Sequence, residues 1–208
     1  LLTPIAKAFM TETGVESAKH GMQIFGGHGY IAEHGMEQIA RDARIACLYE
    51  GTTEIQAIDL LARKVIGSKG NLLKALTDEI QEFMAQHQQH DKFSAQVQQL
   101  EQLVKEWLEL TRDVVDKMQQ RPEEIGAAAV DYLYFSGYTV FAYLWAKMAI
   151  VAEDKIAQGD TDPYYPAKVA TAQFYYSRIL NRTLTHAAMI RSGMDTLFEL
   201  NPEQFKFD

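Results

Sequence analysis

Apolar residues recur at helical spacing along almost the whole chain. Ile5, Ala8, Phe9, Val15, Ala18, Met22 and Phe25 fall on one side of a first helix, which the Gly26-Gly27 pair is placed to stop. A Gly/His-rich connection, GGHGYIAEHG, follows, then a short helix predicted from Glu37 to about Ile45. Another helix starts after Gly51 and runs through IQAIDLLARKVIG. Thr52, Thr53 and Glu54 at its start and Arg63 and Lys64 at its end suit the caps and the helix dipole. Beyond GSKGN the pattern predicts an amphipathic helix from Asn71 to about His87, a polar turn at AQHQQHDK, and a helix whose buried face is Phe93, Val97, Leu100, Val104, Trp107, Thr111, Val114 and Met118. Pro122 opens a long helix to about Ala157, and Ala167 to Arg191 reads as one further long helix closed by Gly193. No segment combines strict alternation with β-branched enrichment and hairpin residues. The fold class is therefore all-α: a partial helical bundle over residues 1–67, then a second, antiparallel helical bundle over residues 68–208.

Charge and composition narrow the function classes. The formal charge is −8, with 6 basic against 8 acidic side chains in residues 1–67 and 14 against 20 in residues 68–208. Neither part offers the basic face that binding to nucleic acid or anionic lipid requires, so no nucleic-acid partner is expected. The single cysteine, Cys47, cannot form an intrachain disulfide, which suits a reducing, cytoplasmic setting. The longest weakly charged stretch, Tyr132 to Ala146, is shorter than the roughly 20 residues of a membrane span. The opening LLTPIAKAFMTETG has neither an initiator Met nor a signal-peptide pattern, and it begins inside a helix, as a segment of a longer protein would.

Glu50 is the leading candidate for chemistry. It follows the uncharged stretch Ile45 to Tyr49 and precedes a helix start, so backbone N–H groups favour its charge while apolar neighbours oppose it. That balance suits either a poised base or an ordinary capping residue. The cluster Gly26-Gly27-His28-Gly29 could bring backbone amides to a phosphate, or simply end a helix; it matches no phosphate-loop fingerprint. His28 with Glu33 and His34, or His87 with His90, do not make HExxH, and two ligands do not close a metal site, so no metal is expected. Arg41, Asp42 and Arg44 read as an ion-pair cluster that orients the short helix, and Cys47 as a packing residue.

Three strings taken together change the picture: QIFGGHGY at 23 to 30, RDARIACLYEGTTEIQ at 41 to 56 and LLARKVIG at 60 to 67. In that order and spacing they resemble the carboxyl-terminal helical segment of flavin-dependent acyl-CoA dehydrogenases. Residues 68–208, through DPYYPAKVATAQFYYSRIL and RTLTHAAMIRSGMDTL, resemble the extra helical domain of a bacterial subgroup of that family, the methylmercaptopropionyl-CoA dehydrogenase-like enzymes.

The resemblance implies FAD as cofactor, an acyl-CoA substrate oxidised to the trans-2-enoyl-CoA, and an electron-transfer flavoprotein as acceptor. It makes Glu50 the catalytic base that takes the α-proton, and sets Gly51 against the substrate. It assigns Gln23, Ile24, Phe25, Gly26 and Gly27, together with Thr52 and Glu54, to flavin contact, the 23–27 segment reaching the flavin of a neighbouring subunit. Glu54 stands where relatives often carry Gln or Gly, and His28 where they carry Asn or Met. A homo-oligomer is implied, with a dimer favoured because the extension can cover the surface used for tetramer assembly. The family's flavin site also draws on domains outside this sequence, so residues 1–208 alone are expected to be inactive. The competing class is a helical scaffold or nucleic-acid-associated module derived from the same family. In the extension, Tyr164, Tyr165, Tyr175 and Tyr176 are expected to be packing residues with a polar tip.

Overall fold

A computed structural model describes residues 1–197 and 199–206. All regular structure among these residues is helical. Helix α1 spans residues 2–25 as Leu2–Pro4, a π-turn at Ile5–Phe9 and Met10–Phe25. Two 3₁₀ turns, Gly26–Gly29 and Ala32–His34, lead to α2, Met36–Ile45, which packs back on α1. Helix α3 joins Thr53–Ile58 to a second π-segment, Asp59–Ile66. Then come α4 (Asn71–His87), α5 (Ser94–Met118) and α6 (Glu124–Ala157). Helix α7 covers Tyr164–Phe174 and a π-turn at Tyr175–Ile179, and α8 covers Arg182–Ser192.

Helix α6 is the axis of the molecule, with α7, α8, α5, α3 and the π-turn of α1 all packed on it. One continuous core runs from Ile5, Phe9, Leu60 and Leu61 through Trp107 and Tyr132 to Tyr176 and Ile190. Burial on so many sides explains why α6 lacks a polar stripe, and two-thirds of its most apolar window is buried in this core. The helix of 34 residues is longer than the weakly charged stretch suggested; by length and composition alone it could cross a membrane. Its interior hydroxyls are satisfied locally: Ser136 donates to the Tyr132 carbonyl at 2.6 Å and Thr139 to that of Phe135 at 2.9 Å.

The structure departs from the sequence pattern in several places. The segment from Ala167 to Arg191 is two helices, starting earlier, at Tyr164, and broken at Leu180-Asn181. The wide turn brings the Leu180 N–H to the Tyr175 carbonyl at 2.9 Å, and the Thr183 hydroxyl then takes up the Leu180 carbonyl at 2.7 Å. The helical ladder is interrupted without stranding polar groups, which is why no proline or glycine marks the break. On α5, Leu103 and Leu110 are buried besides the expected face, because α8 covers a second side. Tyr175 and Tyr176 are buried, with hydroxyls donating to the carbonyls of Tyr138 and Ala142 at 2.8 Å each. Tyr164 is not a core residue: it is 58% exposed, with the Lys168 ammonium over its ring.

A polar seam ties the two ends of the sequence together. Arg182 on α8 grips Glu16 on α1 through both carboxylate oxygens, at 2.6 and 2.7 Å, and donates to the Tyr138 hydroxyl at 3.2 Å. The guanidinium holds the Glu16 carboxyl below the usual carboxylate range. A carboxyl with a depressed folded value stabilises the fold above the unfolded-state value, and loses that contribution as pH falls through the folded one. Both groups are well over a third exposed, so the pair is expected to contribute only about 0.5–1 kcal/mol. Urea unfolding should show Glu16→Gln less stable by that amount at pH 7. The gap should close on acidification through and below the ordinary carboxylate range, and shrink in high salt.

Candidate active-site turn

Glu50 sits on the turn between α2 and α3, and the turn is tightly specified. Its φ is 56° and that of Gly51 is 84°, two successive left-handed residues. Such a conformation is ordinary for glycine but disfavoured for a side chain like that of Glu50, so neighbouring bonds must hold it. Two side chains bond to it directly, and a third anchors the helix start behind it. Gln56, one turn into α3, donates its Nε2 to the Glu50 carbonyl at 2.9 Å. Lys7, on the π-turn of α1, donates its Nζ to the Gly51 carbonyl at 2.5 Å. Thr53, buried at the start of α3, donates its hydroxyl to Glu12 Oε1 at 2.6 Å, and Arg44 lies 3.8 Å from the same oxygen.

The Glu50 side chain is exposed and stands at the rim of an open groove. Ile55, Ile58, Ala62, Arg63 and Lys64 of α3 and Thr3 of α1 line the same groove. Among the described residues the Glu50 N–H donates to no backbone or side-chain acceptor, so this donor is free for a ligand oxygen beside the carboxylate.

The other sequence-derived candidates divide into two groups. Gly51, Thr52 and Glu54 share the Glu50 turn. Thr52 is the extended N-cap of α3. Its hydroxyl, after Glu54's own backbone N–H, keeps the Glu54 carboxyl below the usual carboxylate range. Gln23, Ile24, Phe25, Gly26 and Gly27 lie at the opposite end of α1, sixteen residues beyond Lys7, or about 24 Å along the axis. One chain does not bring them to Glu50. Ile24 is 84% exposed, Phe25 is half exposed, and a Cβ at Gly26 or Gly27 would meet nothing. This helix end is therefore apolar and uncovered.

Arg41, Asp42 and Arg44 do not form the expected cluster. Asp42 accepts from Gln38 Nε2 at 2.7 Å, and Arg44 reaches Glu12 on α1. Adjacent helical positions point apart, so nearness in sequence did not imply pairing here. Cys47 is buried, as its packing role requires, and the His28 and His34 rings meet edge to face at 5.2 Å.

Comparison with known proteins decides what this arrangement belongs to. The family model "Acetyl-CoA dehydrogenase C-terminal like" matches residues 76–201, and the model of the acyl-CoA dehydrogenase C-terminal domain matches residues 2–66. The chain belongs to the acyl-CoA dehydrogenase family. Over 200 residues it is 34% identical to 3-methylmercaptopropionyl-CoA dehydrogenase of Ruegeria pomeroyi, covering 94% of this chain and 34% of that protein. It is 27% identical over 214 residues to the broad-specificity linear acyl-CoA dehydrogenase FadE5 of Mycobacterium tuberculosis, covering 99% of this chain and 35% of that protein. A crystal structure of an acyl-CoA dehydrogenase complexed with FAD from Bacillus anthracis shares the fold, with a TM-score of 0.69, 20% identity, and coverage of 90% of this chain and 32% of that one. The chain thus spans about a third of the length of the relatives it matches. For this acyl-CoA dehydrogenase chain, the turn holding Glu50 lies in the segment matched by the C-terminal domain model.

Proposed function

We propose that the intact protein oxidises an acyl-CoA thioester to the trans-2-enoyl-CoA, with Glu50 as the base. The observation that supports this most directly is the held turn: a solvent-accessible carboxylate beside a free backbone N–H, in a disfavoured conformation bonded by two side chains. The Glu50 N–H would donate to the thioester carbonyl, which acidifies the adjacent Cα–H. The Glu50 carboxylate would take that hydrogen as a proton, and the Cα–H electron pair would become the new double bond as a hydride departs from Cβ. Bound FAD would accept the hydride. Gly51 lines the same groove and would lie against the substrate, to which Ile55 and Ile58 offer apolar surface.

The second cluster supports a homo-oligomeric site. With Gln23 to Gly27 about 24 Å from Lys7 along α1, those residues would serve the flavin of a second copy; a dimer is favoured because the extension would cover the surface used for tetramer assembly. We read residues 1–67 as the end of the family's helical domain and residues 68–208 as an extension sharing one core with it. Cytoplasmic residence and electron transfer to an electron-transfer flavoprotein belong to the same proposal. Because the groove beside Glu50 is open and the carboxylate exposed, residues 1–208 alone should bind FAD poorly and turn over nothing.

Protein made from the intact reading frame should retain a yellow flavin after desalting. Its absorbance near the visible maximum should bleach anaerobically with at least one member of a panel of acyl-CoA thioesters. Light scattering on the same preparation gives the number of subunits. A flavin-free protein, or one that no thioester bleaches, would refute the reading.

A further inference from the structure

We propose that Lys7 is a positioning residue for the Glu50 turn, and that helix α6 of the extension holds Lys7 in place through Phe9. This rests on the reading of Glu50 as the base. The Gly51 carbonyl belongs to the Gly51–Thr52 peptide, one beyond the peptide that follows the base, and it is the one group of the turn held from α1 by a charged donor, at 2.5 Å. Gln56 fixes the preceding carbonyl from α3 at 2.9 Å. With the carbonyls of two successive peptides tethered from different helices, the planes on either side of Gly51 are held relative to each other, which restrains the left-handed pair at φ 56° and 84°.

Lys7 owes its aim to the wide turn in which it sits. The π-turn Ile5–Phe9 ends at a fully buried ring packed edge-on against Tyr138 and Phe141, with centroids at 4.8 and 4.9 Å. That ring also lies on the bare backbone of Gly137, so close that a Cβ there would fall 2.3 Å from its Cγ. Phe9 is therefore pinned by α6 two residues after Lys7. The extension, which contributes no group to the groove beside Glu50, acts on that site through this brace. Side chains that hold reacting groups in register act on turnover far more than on ground-state affinity.

The test uses the intact flavoenzyme. Lys7→Met should leave flavin content and melting temperature near those of the parent. It should lower the limiting rate of flavin reduction by about 10- to 100-fold, while the acyl-CoA concentration at half-saturation changes less than about 2-fold, a split diagnostic of misaligned chemistry. Lys7→Arg, which keeps a cationic donor, should recover most of the rate. Hydrogen exchange read by mass spectrometry should accelerate at residues 49–54 in Lys7→Met, a readout independent of turnover. Gly137→Ala should accelerate exchange over the same residues by displacing Phe9. Unchanged rate and exchange in Lys7→Met would overturn the assignment, as would equal losses in Lys7→Met and Lys7→Arg, or a Lys7→Met protein that cannot fold while Lys7→Gln folds with normal rate. Unchanged exchange at 49–54 in a folded Gly137→Ala protein would overturn the brace. Glu50→Gln is measured alongside: if it reduces flavin normally the base assignment itself fails, whereas a dead Glu50→Gln with a normal Lys7→Met sinks only the role of Lys7.

Discussion

Replacing Glu50 with Gln in the intact enzyme is expected to leave a folded, flavin-bound protein whose bleaching by acyl-CoA is slower by about 10²- to 10⁴-fold, the range a general base contributes. The substitution is nearly isosteric. The Gln56 contact is to the Glu50 backbone carbonyl and the Lys7 contact is to that of Gly51, so neither depends on the carboxylate. What disappears is the acceptor for the α-proton. Binding of acyl-CoA should be largely kept, since the Glu50 N–H and the apolar lining at Ile55 and Ile58 are untouched. Stopped-flow absorbance separates the two: normal substrate-induced spectral perturbation without subsequent bleaching is the expected trace. A helical scaffold derived from the family would tolerate the change, so normal bleaching would favour that class instead.

Gly137 should give a sign reversal that few positions can. Glycine to alanine inside a helix normally stabilises by about 0.5–1 kcal/mol. At Gly126, near the start of α6 with no atom within 4 Å of an added Cβ, that gain is expected. At Gly137 the new methyl would meet the Phe9 ring at 2.3, 2.5 and 2.8 Å. That ring cannot retreat, because Tyr134, Tyr138 and Phe141 surround it at centroid distances of 6.1, 4.8 and 4.9 Å. Overpacking of this kind costs about 1–3 kcal/mol, so Gly137→Ala is expected to destabilise on balance. Phe9→Ala should cost about 3–5 kcal/mol, as expected for a buried aromatic ring. In the Phe9→Ala background, Gly137→Ala should then become stabilising, since the obstacle is gone and the methyl fills part of the void. Urea denaturation of the four proteins checks this; two independent, additive effects would show that the ring and the glycine are not coupled.

How much of this was readable in the sequence depends on how local each cause is. The bounds of α4 and α6 follow from periodicity and from the flanking GSKGN and Pro122, and the structure places them at Asn71–His87 and Glu124–Ala157. The break at Leu180-Asn181 was hidden because its polar groups are satisfied by a wide turn and a threonine hydroxyl rather than by a marked stop residue. Glu50 stood out through a family motif, YEGT, carried in adjacent residues. Lys7 and Glu12 did not, because their partners lie 44 and 41 residues away and nothing in AKAFMTE signals a carbonyl or a hydroxyl across the fold. The half-exposed Phe25 looked like a continuation of the buried stripe, since periodicity reports apolar character and not which surface covers it.

The Glu16–Arg182 grip joins positions 166 residues apart, and Phe9 waits on Gly137 in the same way. On the ribosome, therefore, α1 and the turn that carries Glu50 are finished long before their supports emerge. Loop closure over such separations slows folding, leaving Ile5, Phe9, Leu60 and Leu61 without their α6 neighbours during synthesis. The nascent chain should accordingly engage chaperones through this early segment until α6 has cleared the exit tunnel, and stalling synthesis before and after that point would reveal the switch from bound to released.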